Sequence, residues 1–338
     1  MQNASIKFRL ILFAAILLSC NQARPHLVTG IEELKQTEFV PALETVTPFH
    51  KNIIYAPAFL FAWEKLRQTL KDSIFINDAN STMLKMVNQS HSFEHALPVG
   101  DYDAQTTIND NRISAKAFFN KALPFLSKME KIDEGIIFKG QKVAAFGMRG
   151  AHLMLDQFSQ ILYYKDDEKL ILRILPKDTL NEIILVKGLP ETKTLADVIT
   201  QTNTLIKIGG VERQNRNEQW KYNFDQKDSF SVPVIKFNIE TNYHDLEGKT
   251  ITAGKINYKV ETAFQRTAFT LNENGAVVES EGEIEVMSLD SLATQESHPK
   301  KMTFDKTFYI IIKYVNRANP YFVMKVDNAE LLNNLQKK

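Results

Sequence analysis

The chain has 338 residues, of which 44% are hydrophobic and 24% charged, an ordinary globular composition that is long enough for one large domain or two small ones. Lys and Arg number 41 against 40 Asp and Glu, a formal charge of +1, which excludes a global field that recruits nucleic acid or an anionic membrane surface. The single cysteine excludes a disulfide framework.

At the N-terminus, Lys7 and Arg9 precede the apolar run Leu10 to Leu18, and Ser19-Cys20 follows. This is the layout of a secretory signal peptide, too short to span a bilayer as a mature helix. Leu17-Leu18-Ser19-Cys20 resembles the bacterial lipobox, which implies cleavage before Cys20 and a diacylglycerol on its thiol; the alternative is a plain signal peptide whose cysteine is coincidental. The expected organisation is a lipoprotein signal peptide over 1–19, a polar tether over 20–38 and one domain over 39–338, held at a membrane outside the cytoplasm, periplasmic or at the cell surface.

Further along, Ile54, Phe59, Ala62, Trp63, Leu66 and Leu70 recur at helical spacings around the breaker Ala56-Pro57, which predicts a buried helix starting near Pro57. Residues 73–112 read as polar and irregular. From Ile113 the texture becomes that of strands: 113–119, 135–146, 160–164 and the run Leu170 to Leu175 closed by Pro176. A helical pattern covers 189–204. Strands return at 231–239, 255–264, 308–313 and 321–326. Helices early and antiparallel sheets late give an α+β domain.

His91-Ser92-Phe93-Glu94-His95 matches the H-x-x-E-H pattern of inverted zinc peptidases. Pro98 cuts the helix this pattern requires, and the Asn-Gln-Ser run before it offers no apolar face to bury a metal. Two solvated histidines on a turn are the better account, so no metal, no cofactor and no catalytic residue is expected, and the chain does not read as an enzyme. The charged stretches 166–169, 203–216 and 225–228 read as solvated connectors, and Trp63 and Trp220 as core anchors.

The segment after Asn272-Glu273-Asn274-Gly275 alternates. Ala276, Val278, Ser280, Gly282, Ile284 and Val286 share one face, and Val277, Glu279, Glu281, Glu283, Glu285 and Met287 the other. By pattern alone this is an ordinary strand with carboxylates in water. Gln265 to Gly275, however, resembles the strand and proximal hinge that lead into the reactive loop of serpins, with Glu273 and Gly275 at the hinge Glu and Gly. Phe304 to Ile312 with Pro320 to Asn328 resembles the closing β-hairpin of that family. Ser231 to Leu246 and Gln160 to Pro176 are similar to two earlier serpin elements, as are Ala117 to Phe125 and Asn52 to Pro57, all in family order.

The resemblance implies a divergent, shortened serpin-like α+β fold, with helices mainly N-terminal, antiparallel sheets and an exposed reactive-centre-type loop over 276–303. It implies inhibition of a serine or cysteine peptidase by a bait loop that enters the main sheet after cleavage, with hinge residues Glu273, Gly275, Ala276, Val278 and Ser280. Family spacing lands the scissile bond at Leu289, in a window from Met287 to Ala293. Three departures matter. The family's alanine run after the hinge is missing, its serines after the first strand are Ala56 and Phe59, and the histidine that meets them is Gln265. A non-inhibitory serpin-fold lipoprotein acting as a binding protein is the other reading.

Overall fold

The structure, a computed structural model, describes residues 28–76, 81–98, 100–119, 121–149, 159–277 and 299–335. The described residues begin with β1 (Thr29–Gly30), a 3₁₀ turn (Ile31–Glu33), β2 (Thr37–Val40), β3 (Asn52–Tyr55), α1 (Ala58–Leu70), β4 (Ile74–Ile76) and α2 (Thr82–Gln89). It continues with β5 (Tyr102–Asn109), β6 (Arg112–Phe119), β7 (Ala122–Pro124), β8 (Glu130–Phe138), β9 (Gln141–Arg149), β10 (Ser159–Asp166), β11 (Lys169–Ile174) and β12 (Asn181–Lys187). Then come α3 (Leu195–Glu212), a second 3₁₀ turn (Gln219–Lys221), β13 (Ser229–Pro233), β14 (Ile235–Asn242), β15 (Thr250–Ala253), β16 (Ile256–Asn272) and β17 (Gly275–Val277). The chain closes with β18 (Lys301–Thr303), β19 (Phe308–Tyr314) and β20 (Phe322–Val326).

These strands form three sheets. The largest runs β1-β14-β16-β15-β4, with β5, β6, β7 and β17 attached on the other side of β16. The second is ordered β10-β11-β12-β19-β20-β3-β2 and the third β18-β13-β9-β8. The α+β class expected from the sequence is the one observed. The apolar runs of the second sheet are its interior: every residue of β12 and of β20 is buried. The expected strand over 231–239 is two strands, because the chain crosses at Val234 from β13 in the third sheet to β14 in the first.

Pro57 caps α1, as its fixed φ and missing N–H allow. Ala58, Phe59, Leu60, Phe61, Ala62, Trp63 and Leu66 are all buried, and the helix packs across β5, β6 and β16. Lys71, at φ 54°, ends it in a left-handed cap. The later helix is Leu195–Glu212, further on than the pattern over 189–204 suggests. Thr194 starts it: its hydroxyl accepts from Asp197 N at 3.1 Å while the Asp197 carboxylate accepts from Thr194 N at 3.2 Å. This helix also absorbs much of the supposed connector 203–216.

Two other expectations are corrected. Residues 28–38 are not tether. β1 pairs with β14 and β2 with β3, and the Glu330 carboxylate accepts from Lys35 N at 2.9 Å, Gln36 N at 3.0 Å and Thr37 Oγ1 at 2.7 Å. These short strands carry no apolar run and exist only through distant partners. The stretch 73–112 is likewise structured, holding β4, α2 and β5. The inward positions of β5 include Ala104 and Thr106, and α2 buries only Leu84 and Val87, so neither shows a clear hydrophobic period.

Candidate functional site at the head of the large sheet

The alternation that predicts a strand over 255–264 extends much further, through 17 residues of β16. Gln265, Thr267, Phe269 and Leu271 are buried on one face. The strand ends in a two-residue reversal. Asn272 Oδ1 accepts from Asn274 N at 2.9 Å, and β17 returns along β16 with Asn272 opposite Gly275, Leu271 opposite Ala276 and Thr270 opposite Val277. On its other edge β17 pairs with β7, Gly275 opposite Pro124, Ala276 opposite Leu123 and Val277 opposite Ala122. The three residues after the turn are therefore a strand wedged between two others.

Glycine is required at 275. Its φ is 152°, and a Cβ there would lie 2.5 Å from Leu123 O and 2.6 Å from Pro124 Cα. Ala276 is 1% exposed. The exposed loop expected from 276 thus begins no earlier than 278. Backbone bonds hold the turn itself: Phe125 N donates to Asn274 O at 2.9 Å and Met129 N to Glu273 O at 2.8 Å. The buried Glu273 carboxylate meets Lys131 Nζ at 3.1 Å. Because Lys131 is 68% exposed, this pair contributes at most about 1 kcal/mol.

Below the wedge, β6 pairs with β16 directly and in parallel, from Arg112 opposite Lys259 to Ala117 opposite Gln265. Between the two ladders, among the described residues, 266–269 have no ladder partner on that side of β16. Lys121, just before β7, ties this flank to the second sheet: its Nζ donates to Asp101 Oδ2 and to Tyr314 Oη, both at 2.8 Å. Partial burial opposes the charge on Asp101, but the hydrogen bonds from Lys121 and Tyr314 outweigh it and hold the carboxyl below the usual aspartate range. Burial opposes the charge on Lys121 too, and the same partners hold it above the usual lysine range.

Gln265 sits at the junction of the ladders, fully buried. Its Oε1 accepts from Phe59 N in the first turn of α1 at 3.2 Å and from Tyr243 Oη at 3.3 Å, and its Nε2 donates to Thr267 Oγ1 at 3.1 Å. The Phe59 ring packs on Tyr243 with centroids 5.0 Å apart. The sheet and the helix behind it therefore keep a hydrogen-bonded link despite Ala56 and Phe59, with a backbone amide in place of a serine.

The downstream end of the segment was not legible in the sequence. Lys300 is 1% exposed and Asp228 wholly buried, with Lys300 Nζ and Asp228 Oδ2 2.8 Å apart. The expectation that 225–228 is a solvated connector fails at Asp228. Pro299-Lys300-Lys301 also reads as surface, and the two partners lie 72 residues apart, so no local pattern links them. Trp220 is 39% exposed rather than a core anchor, whereas Trp63 is 1% exposed.

His91, Glu94 and His95 stand in turns after α2, not on a helix. His91 Nδ1 contacts Glu94 Oε1 at 2.7 Å, His95 has φ 57°, and among the described residues no cluster has the makings of a metal site. Cys20, Val278, Ser280, Met287, Leu289 and Ala293 lie outside the described residues.

No family model matches the chain, and no curated protein matches it. Solved structures do. The chain is similar to human glycosylated kallistatin at 13% identity and a TM-score of 0.45, over 82% of this chain and 92% of that one. It is similar to a mouse protein-Z dependent protease inhibitor at 12% identity and a TM-score of 0.44, over 82% and 91%. It is also similar to Serpin48 of the insect Tenebrio molitor at 12% identity and a TM-score of 0.37, over 81% and 91%. These are serpins, the family resembled in the sequence. At this level the likeness concerns the chain trace alone and transfers no activity.

Replacing Gln265 by Leu strands the Phe59 amide and the Tyr243 hydroxyl at a buried site, at a cost of about 2–4 kcal/mol. Urea unfolding of Gln265→Leu should show that loss, and Thr267→Val a smaller one.

Proposed function

We propose that this protein inhibits a serine or cysteine peptidase by offering the segment after β17 as bait and, once it is cut, extending β17 down the large sheet. The observation that carries this reading is the wedge: β17 is a strand already begun between β7 and β16, above a parallel seam. Because β17 is antiparallel to both neighbours, its extension replaces one parallel ladder by two antiparallel ones, each slightly more stable per residue.

The chemistry of the residues beyond β17 fits that path. Continuing the β16–β17 register sets Val278 against Phe269, Ser280 against Thr267 and Gly282 against Gln265, all on the face where β16 is buried. Glu279 and Glu281 fall against Ala268 and Arg266 on the half-exposed face. The carboxylates stay in water, as they must, since burying an ionised group costs several kcal/mol or neutralises it. The cut falls in the window from Met287 to Ala293, near Leu289. The same wedge supports a second reading, a non-inhibitory binding protein in which β17 is a fixed end and goes no further.

Ser280→Arg separates the two. Against a panel of apolar-specific serine and cysteine peptidases, wild type should leave a covalent complex on a denaturing gel, whereas Ser280→Arg should be cut without one and Glu279→Ala should behave as wild type. If every peptidase that cuts wild type between Met287 and Ala293 leaves no complex, the binding-protein reading replaces the inhibitor.

Lipid anchoring through Cys20 belongs to the same proposal and rests on Leu17-Leu18-Ser19-Cys20 and the single cysteine. Cys20→Ala should move the protein from the membrane to the soluble fraction of the producing cell. Equal partition of the two would remove the anchor.

A further inference from the structure

Strands at the edge of a sheet carry unpaired backbone groups that can recruit another chain, and proteins blunt them by shortness, bulges, charge or cover. Among the described residues all the sheet edges but one are blunted in this way. β1, β2, β4, β7 and β18 are two to four residues long. β8 is bulged between Ile132 and Ile136 and exposes Glu130, Lys131, Asp133 and Glu134. β10 shifts register twice and lies against α3. β5 is the exception. It runs eight residues in unbroken register with β6, its one partner strand, and contains no proline, lysine or glutamate.

Asp110 at φ 45° and Asn111 at φ 63° form the two-residue turn between β5 and β6, so the flanking pair Asn109–Arg112 is hydrogen-bonded. Alternation then turns the backbone of Asp103, Gln105, Thr107 and Asn109 toward β6 and that of Tyr102, Ala104, Thr106 and Ile108 outward. Among the described residues these four outward groups meet no other backbone. Their side chains form a half-buried row, whereas Ile113 and Ala115 beside them on β6 are 0% and 1% exposed. The core is thus open along this edge. α1 holds the strand in place from behind: the Phe61 ring stacks on Tyr102 with centroids 3.8 Å apart, and Thr106 Oγ1 donates to Ala62 O at 3.0 Å.

We propose that β5 is a dimerisation edge, pairing antiparallel with β5 of a second copy about a two-fold axis at Gln105. Only this centre uses all four outward residues. Tyr102 then pairs with Ile108 of the second copy and Ala104 with its Thr106, for about eight backbone hydrogen bonds. A centre at Ala104 or Thr106 leaves one of the four beyond the end of the partner strand. On the half-buried row the register sets an aromatic ring against a β-branched side chain, a favourable cross-strand pair. On the exposed row Gln105 faces Gln105 of the second copy, and Asp103, the one charged side chain of the strand, faces Thr107 rather than its own copy. No like charges meet, and this self-complementarity favours a second copy over an unrelated strand. One strand per copy is far less than the about 20–30 residues a side of a standard interface, so the dimer is a weak, micromolar one. It involves nothing after β17 and stands apart from the inhibitor reading.

The test uses the full chain carrying Cys20→Ala, so that any introduced thiol is the single one. Sedimentation equilibrium should show monomer passing to dimer across the micromolar range. Gln105→Lys sets like charges face to face at the axis and should weaken the dimer about fivefold or more. Thr107→Lys puts its amine opposite Asp103 of the second copy and should leave the dimer as strong or stronger. Both side chains are exposed, so the fold tolerates the changes. Under mild oxidation Gln105→Cys should form a disulfide-linked dimer, because Cα atoms of a non-hydrogen-bonded pair lie about 4.5 Å apart, and Thr107→Cys should not. A chain that stays monomeric throughout overturns the proposal. So does a dimer that Gln105→Lys leaves intact, or one in which both cysteines cross-link equally.

Discussion

The head of the molecule is governed by one constraint: the edge of β16 that faces β6 carries backbone groups that need partners along its length. Two strands of opposite direction share that edge. β6 takes the lower part in parallel, β17 takes the last three residues antiparallel, and they cannot occupy the same stretch. The surrounding elements hold this division in place. α1 backs β5, β6 and β16 together, Gln265 pins the helix to the sheet where the division falls, and Lys121 fastens the β7 flank to β19. The sheet thus holds a parallel β6–β16 ladder below an antiparallel β16–β17 one.

The chain is held differently just before residue 278 and just after residue 298. Upstream, the chain enters the wedge through a carboxylate whose partner lies in water and a glycine whose backbone sits against Leu123. Both set the direction in which the chain enters β17. Downstream, every polar atom of Lys300 is engaged inside the protein, and β18 is pinned from two sides.

Much of the fold was readable because its signal is local. The apolar runs of β11, β19 and β20, the Pro57 start of α1 and the alternation of β16 each appear within a few residues of one another. Gly275 was readable by resemblance and makes sense as backbone meeting backbone. What was missed depends on partners far along the chain. β1 and β2 are strands only because β14 and β3 lie beside them. β5 faces inward with alanine and threonine, so its period is faint. Asp228 and Lys300 look like surface charges until the fold brings them together, and no composition or spacing announces that they are buried.

The central claim, that β17 is the start of a strand the sheet can accept, is tested most directly by the melting temperature of the protein before and after a single cut between Met287 and Ala293. Completing the strand should raise it by at least about 10 °C, as ~5 kcal/mol of added pairing and burial would at about 2 °C per kcal/mol in a chain of this size. A nicked protein that melts at or below the temperature of the intact one would contradict the account.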